Sequence, residues 1–426
     1  MQILLSLSVA LFAGLMLSRL AKRVQLPAVT AYLVAGILIG PYLLGALGVK
    51  GLGFVSMQDI KSYGIVSDVA LGFIAFSIGN EFRLSQLKQI GKKATVIGIF
   101  QAVVATLLVD AALIGLHFII PDVLPLPSAI VLGAVASATA PAATLMVVRQ
   151  YKSKGPLTDI LLPIVAIDDA VGLVLFAVSF GVAKALISGR VDVISVILEP
   201  VLEVALSLGL GYVMGELFTF FEKFFHSRSK RLSMSVTFVF LTVAISMVEF
   251  KIGGVHVAFS SLLVCMMLGT VFCNLCDFSE ELMDRIDRWS APLFILFFVI
   301  SGAELELATF KDAAVVLIGL VYIIVRSLGK YIGAAASAKW MGCDSNIVKY
   351  LGVTLLPQAG VALGMAIKAE TLGAEGAIVT NITLFSVLIY ELIGPFFTKV
   401  ALEHAGEINP HGKVSARDAA KKAENA

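Results

Sequence analysis

The chain has 426 residues, of which 58% are hydrophobic and 15% are charged, and its mean hydropathy is +0.95. Since soluble proteins carry about 25% charged residues, this composition excludes an ordinary soluble domain and predicts an integral membrane protein. The formal net charge is +2, and no basic stretch interleaved with aromatic residues indicates nucleic-acid binding.

Apolar segments follow one another along most of the chain, and lipid forces such runs to be helical because it offers the backbone no hydrogen bonds. The thirteen segments predicted are 2–18, 28–46, 64–80, 94–120, 128–148, 156–185, 191–222, 233–249, 256–273, 290–304, 313–338, 347–368 and 376–400. The first lacks a basic start and a cleavage site, so it is interpreted as a span and not as a signal peptide. Residues 1–404 are thus predicted to form one membrane domain, and residues 405–426 a short polar tail.

The loop charges predict the orientation of the chain. Loops that follow odd-numbered segments carry seventeen Lys and Arg residues, and loops that follow even-numbered segments carry six. Positive loops stay in the cytoplasm. The N-terminus is therefore expected outside, and the C-terminal tail in the cytoplasm.

A short internal repeat predicts two inverted halves. The stretch from Gly79 to Lys88 matches the stretch from Gly302 to Lys311, with glycine, glutamate, leucine and lysine in the same register. The copies end segments three and ten, whose numbers differ by seven, an odd number, so the two have opposite orientations. Six spans, a linker span at 191–222 and six inverted spans would result, and inverted repeats of this kind are typical of transporters.

Segments five and twelve correspond in this scheme, and a proline interrupts each near its middle, at Pro141 and at Pro357-Gln358. Proline removes a helical hydrogen bond. A break inside the membrane is tolerated only where the backbone is buried in protein or lines a cavity. The sequence therefore predicts two crossed broken helices at the midplane.

Segment six carries the adjacent acids Asp168 and Asp169 at its centre. An ionisable side chain at that depth costs about 2.5–3.5 kcal/mol on insertion scales, so such residues usually serve transport. The pair is predicted to hold a cation or protons. The alternative is a structural acid pair neutralised by a buried base.

Segment eleven supplies two candidate bases, Arg326 and Lys330, which share one helix face because they are four residues apart. Arg326 is expected to keep its charge and to be best suited to hold Asp168. Lys330 is expected either to change its charge when desolvated or to extend toward water as a long side chain can.

In these motifs the sequence resembles the monovalent cation:proton antiporters of the CPA2 family, in the sodium/hydrogen exchanger superfamily. The resemblance spans residues 1–400. Its strongest matches are Ala138-Thr139-Ala140-Pro141-Ala142, Ala166-Ile167-Asp168-Asp169 and Arg326-Ser327-Leu328-Gly329, with support from Leu26-Pro27, Gly36, Gly40, Gly79, Glu81 and Pro357-Gln358-Ala359-Gly360.

The resemblance implies that Asp169 binds the cation and carries a proton, and that Asp168 pairs with a base on segment eleven. It also implies a mobile core (about 94–185 and 313–400), a dimerising scaffold (about 1–80 and 233–304) and a homodimer in the plasma membrane, the inner membrane of a bacterium. Arg326 departs from the pattern, since double-acid exchangers often have lysine there. The related potassium-efflux group carries a nucleotide-binding domain, and the tail is too short for one.

The expected function is antiport of Na⁺, with Li⁺ and K⁺ as alternatives, against H⁺. Asp168, Asp169 and Thr139 would supply oxygen ligands for the transported ion. No cofactor and no enzymatic activity are expected, since no phosphate-binding loop and no nucleophile–base pair is visible. The alternatives are a cation-coupled symporter of an organic anion and a cation channel or sensor.

Overall fold

The computed structural model describes residues 2–23, 26–48, 53–80, 82–188, 193–248, 250–252, 255–305 and 313–408. Within these ranges the chain is almost entirely helical. The helices are α1 Gln2–Arg23, α2 Ala28–Ile39, α3 Met57–Lys61, α4 Gly64–Gly79, α5 Leu84–His117, α6 Leu126–Val135, α7 Pro141–Tyr151, α8 Pro156–Ser188, α9 Val193–Glu222, α10 Arg228–Ser246, α11 Ser261–Leu275, α12 Ser279–Glu304, α13 Ala313–Trp340, α14 Ser345–Thr354, α15 Gly360–Ala369 and α16 Ala374–His404. Two strands, β1 Phe250–Ile252 and β2 Val255–Val257, pair antiparallel in a hairpin.

Seven of the described helices are long and apolar enough to cross a membrane. These stretches are Ile3–Arg23, Gly91–His117, Pro156–Ile187, Leu202–Glu222, Ser279–Glu304, Ala313–Trp340 and Ala374–His404. Shorter apolar helices accompany them, namely Ala28–Ile39, Gly64–Gly79, Leu126–Val135 and Ser261–Leu275. The predicted class, an all-α membrane protein, is confirmed.

Two helices begin or end at residues other than those predicted from the apolar segments. Helix α12 begins at Ser279 and not near 290, because Glu280 and Glu281 in its first turn favour the positive helix N-terminus. Helix α2 ends at Ile39 and not near 46, since the following Gly40-Pro41 cannot continue it.

The interruptions expected in segments five and twelve are present. Helix α6 ends at Val135, and α7 starts at Pro141, which occupies a first-turn position where its missing N–H costs nothing. Helix α14 ends at Thr354, and α15 starts at Gly360. The two non-helical stretches are called break one (residues 136–140) and break two (residues 355–359).

Helices α5 and α13 approach closely because α13 presents glycine to α5. A Cβ atom on Gly329 would lie 2.8 Å from the Cα of Ala105, and one on Gly333 would lie 2.8 Å from the Cα of Gln101. Only glycine permits such contact between backbones. Lys330 lies between these two glycines in the sequence of α13.

The internal repeat falls only partly on described residues. Helix α4 ends at Gly79, the first residue of one copy, whereas α12 continues to Glu304, two residues past the corresponding Gly302. Glu81 and 306–312 lie outside the described residues. Residues 409–426, most of the predicted tail, also lie outside them.

Candidate ion-binding site

Helix α8 carries the acid pair into the interior. Asp168 is fully buried, and Asp169 is 1% exposed. The start of this helix is fixed by Glu407, whose carboxylate accepts hydrogen bonds from the backbone N–H groups of Leu157 at 2.6 Å and Thr158 at 2.8 Å. A carboxylate at this position satisfies free N–H groups and suits the helix dipole.

Lys330 is the base that neutralises Asp168. Its ammonium lies 2.8 Å from Asp168 Oδ2, and both side chains are fully buried. The expectation that Arg326 holds Asp168 is therefore wrong for this structure, and so is the alternative that Lys330 extends to water. The register of α13 against α8 brings the second base of the pair, not the first, to the carboxylate.

Arg326 instead binds backbone carbonyls at the breaks. Its guanidinium donates to Ala136 O at 3.0 Å and Ala138 O at 2.6 Å in break one, and to Leu356 O at 2.8 Å in break two. It also lies 4.5 Å from the ring centroid of Tyr390, at a distance typical of a cation–π contact. A helix end leaves carbonyls without partners, and the planar donor fork of arginine can satisfy several of them.

The two breaks also touch each other directly. The backbone N–H of Ala140 donates to Pro357 O at 2.8 Å. Gln358 of break two donates to Val135 O at the end of α6 and to the Tyr322 hydroxyl, each at 2.9 Å. Pro141 and Pro357 thus lie at a contact between the breaks, and Gln358 ties break two to α6 and α13.

Thr139 of break one faces Asp168. Its hydroxyl donates to Asp168 Oδ2 and accepts from Lys330 Nζ at 3.0 Å, and Lys330 also donates to the carbonyl of Ser137. Thr139 was expected to be a ligand of the transported ion, and in this state it supports the ion pair.

Asp169 is the acid of the pair that has no hydrogen-bond partner among the described residues. Neither of its carboxylate oxygens has a hydrogen-bond partner among the described residues, although both atoms are buried. A buried, unpaired carboxylate costs several kcal/mol or more. This group can therefore be satisfied by a proton or by a bound cation.

Gln101 of α5 belongs to the site, and sequence reasoning missed it. Its side-chain nitrogen donates to Asp168 Oδ1 at 2.5 Å, and the residue is fully buried. The available signal was one amide inside the apolar segment 94–120, three residues after Gly98. The site thus collects side chains from α5, α8, α13 and both breaks.

A second polar contact joins α7 to distant helices. Arg149 Nη1 lies 2.5 Å from Asp287 Oδ1 of α12, which also accepts from Ser77 of α4 at 3.4 Å. The neighbouring Gln150 accepts from the N–H of Ala28, at the start of α2, at 2.8 Å. These contacts are called the α7 clasp.

Curated proteins of known or probable activity are similar to this chain over most of their length. The chain is 24% identical to the Na⁺/H⁺ antiporter NhaS4 of Synechocystis, over 82% of this chain and 85% of that protein. It is 23% identical to the probable Na⁺/H⁺ antiporter 3 of Methanocaldococcus jannaschii, over 90% and 92%. It is 22% identical to the ammonium/H⁺ antiporter subunit AmhT of Alkalihalophilus pseudofirmus, over 95% and 94%.

Solved structures share the fold. Two structures of the sodium proton antiporter MjNhaP1 from Methanocaldococcus jannaschii superpose with TM-scores of 0.63 (the structure at pH 8) and 0.71 (the electron-microscopy structure). Their identities are 19% and 16%, and each match covers at least 94% of both chains. The family model described as "Sodium/hydrogen exchanger, transmembrane" matches residues 7–404, and the chain belongs to that family.

Proposed function

We propose that this protein is a secondary antiporter that exchanges a monovalent cation, Na⁺ in the first place and Li⁺ or K⁺ as alternatives, for H⁺. The observation that carries the proposal is the contrast between the two acids. Asp168 is neutralised by Lys330, whereas both oxygens of Asp169 are buried without a partner in the described part of the chain. Membership of the sodium/hydrogen exchanger family supports the same activity.

Exchange follows from competition for the same carboxylate oxygens. A cation at Asp169 removes the need for a proton there, and a proton removes the negative charge that attracts the cation. Asp168 becomes available to the ion only when Lys330 leaves Oδ2, so Lys330 is the internal competitor. Asp169 is thus free to bind the ion, whereas Asp168 can bind it only after Lys330 has moved away.

The architecture that we propose has thirteen spans in two inverted halves joined by α9, with the N-terminus outside and the C-terminus in the cytoplasm. The core comprises α5–α8 and α13–α16, and the scaffold comprises α1–α4 and α10–α12. The positive-inside bias and the placement of both breaks at one contact support this scheme. We place the protein in the plasma membrane and propose that it forms a homodimer.

Alternating access is supported by a difference between the two half-helices that follow the breaks. Helix α7 packs against the scaffold helices α2 and α4, whereas its counterpart α15 packs mainly against α6, α8 and α16 of the core. Cβ atoms added to Gly360 and Gly364 of α15 would meet nothing within 4 Å. In the proposed orientation, the α7 clasp closes the cytoplasmic side, and α15 borders open space on the other side.

The alternatives are less well supported. An organic-anion symporter would have to place an anion beside the bare Asp169, where like charges repel. A channel needs no competition between a proton and a cation at one acid. The family does not favour either alternative.

The test is cation-induced proton movement in proteoliposomes with an imposed pH gradient. Na⁺, Li⁺, K⁺, NH₄⁺ and choline are added in turn, since one relative is named as an ammonium antiporter. Wild type should dissipate the gradient with at least one small cation, and Asp169→Asn should not. Glu216→Gln, on α9 away from the site, is the matched control and should behave as wild type. Absence of proton movement with every cation in wild type would refute the proposal.

A further inference from the structure

The two oxygens of Asp168 have different partners. Oδ2 accepts from the Lys330 ammonium at 2.8 Å and from the Thr139 hydroxyl, on the side of break one. Oδ1 accepts from Gln101 Nε2 at 2.5 Å, on the side of α5. The carboxylate is therefore held by a charged donor and a hydroxyl at Oδ2 and by a neutral amide at Oδ1.

The orientation of the Gln101 amide is determined by its contacts. Its nitrogen lies 2.5 Å from Asp168 Oδ1 and 3.0 Å from Gly98 O, and both of these atoms are acceptors. The amide must therefore present its N–H₂ group to them. The amide oxygen is buried, with no hydrogen-bond partner among the described residues. Gln101 thus leaves one of its own acceptors unsatisfied while it donates to Asp168.

We propose that Gln101 is a positioning residue that confines the proton, the cation and Lys330 to a single oxygen of Asp168, namely Oδ2. This inference rests on the proposed antiport. A carbonyl oxygen accepts an N–H bond better than a hydroxyl oxygen does, so the amide keeps Oδ1 in its carbonyl form, and a proton that binds Asp168 goes to Oδ2. That oxygen already faces the Lys330 ammonium, which only donates.

Confinement of the proton, the cation and Lys330 to Oδ2 means that only one of them can bind Asp168 at a time. The Lys330 ammonium and the Thr139 hydroxyl occupy the two lone pairs of Oδ2. A proton can therefore bind Oδ2 only by displacing one of these donors, and it removes the negative charge that holds the ammonium. The same holds for a cation at Oδ2. Without Gln101, the proton can bind Oδ1 while Lys330 or the cation stays at Oδ2, and protons then cross without exchange.

The charged groups around Asp168 are few. Lys330 on α13 interacts electrostatically with Asp168 and Asp169 on α8 and with Arg326 on its own helix, whereas α5 contributes the neutral Gln101 and break one the neutral Thr139. Replacing Gln101 therefore changes hydrogen bonding to Asp168 without changing the charge of the site. A change in pH profile can then be assigned to that lost bond.

The experiment compares Gln101→Met with wild type in proteoliposomes. Met has nearly the volume of Gln and no donor. Thr106→Val is the matched control, since Thr106 lies on the same helix and its buried hydroxyl has no partner among the described residues. Gln101→Met should shift the pH of half-maximal exchange upward by about one unit, because the carboxylate loses a charge-assisted bond. It should also admit proton flux without Na⁺ and lower the number of Na⁺ moved per H⁺.

The inference is overturned if Gln101→Met keeps the wild-type pH profile and Na⁺:H⁺ ratio, or if Thr106→Val changes both equally. Infrared spectroscopy of wild type tests the bond even if Gln101→Met does not fold. The C=O band of protonated Asp168, identified by its loss in Asp168→Asn, should lie at the lower frequency of a hydrogen-bonded carbonyl. A band at the frequency of a free carbonyl refutes the inference. Failure of antiport in wild type refutes the proposed function and leaves this band as a separate result.

Discussion

Arg326→Met should destabilise the protein, because Arg326 is the donor that satisfies backbone carbonyls at both breaks. The guanidinium satisfies three buried carbonyls, those of Ala136, Ala138 and Leu356. A buried acceptor left without a partner costs about 1–3 kcal/mol. The total is about 3–9 kcal/mol. An unfolding entropy of about 2.1 cal/mol/K per residue amounts to about 0.9 kcal/mol/K for 426 residues, so the melting temperature should fall by at least about 3 °C.

Thermal unfolding of the detergent-purified protein measures this effect. Arg326→Lys keeps the charge without the planar fork, and should lie between wild type and Arg326→Met. The opposite outcome would refute the structural role assigned to this residue. If Arg326→Met unfolded like wild type while its Na⁺ affinity and pH profile changed, Arg326 would act as a counter-charge of the acids.

Three further predictions concern the packing and pairing of the site. Lys330→Met leaves a buried carboxylate unpaired and should lower the free energy of unfolding by about 3–5 kcal/mol. The double variant Asp168→Asn/Lys330→Met should lose less stability than the sum of the losses of the two single variants. Additive shifts in melting temperature would contradict the ion pair. Gly333→Ala places a Cβ 2.8 Å from the Cα of Gln101 and should lower the free energy of unfolding by about 1–3 kcal/mol. The control Gly364→Ala places a Cβ with no atom within 4 Å and should unfold like wild type. Equal melting temperatures of the two variants would disprove the close approach of α13 to α5. Glu407→Ala removes the acceptor at the start of α8 and should lower the free energy of unfolding by about 0.5–2 kcal/mol. Hydrogen exchange at the amides of Leu157 and Thr158 should become faster. Unchanged exchange at these amides would argue against a cap by Glu407.

The parts of this molecule that depend on local chemistry were predictable from sequence. Apolar runs locate the helices, because the cost of exposing backbone to lipid depends on the run itself. Pro141 and Pro357 locate the breaks, because the missing N–H disturbs the nearest turn. The burial of Asp168 and Asp169 follows in the same way from the middle of segment six.

The pairing within the site was not predictable, because it depends on the relative position of separate helices. Arg326 and Lys330 share a face and lie about 6 Å apart along the axis. A shift of α13 against α8 by one turn decides which of them meets Asp168, and no local pattern encodes that shift. The glycines of α13 set it through their contact with α5, and Gln101 becomes part of the site by the same contact.

The connection between the two breaks also determines how fast different steps can be. Arg326 donates to both breaks, and Ala140 bonds directly to Pro357, so a displacement of one break without the other would lose several hydrogen bonds at once. Ion capture must then proceed through local rearrangements of side chains such as Lys330, which is fully buried and bonded to Asp168. In the proposed alternating-access cycle the breaks would travel with the whole core, on the microsecond to millisecond scale of domain motions. Ion binding should therefore precede the movement of the breaks, and a rapid-mixing experiment should resolve it as a separate early phase.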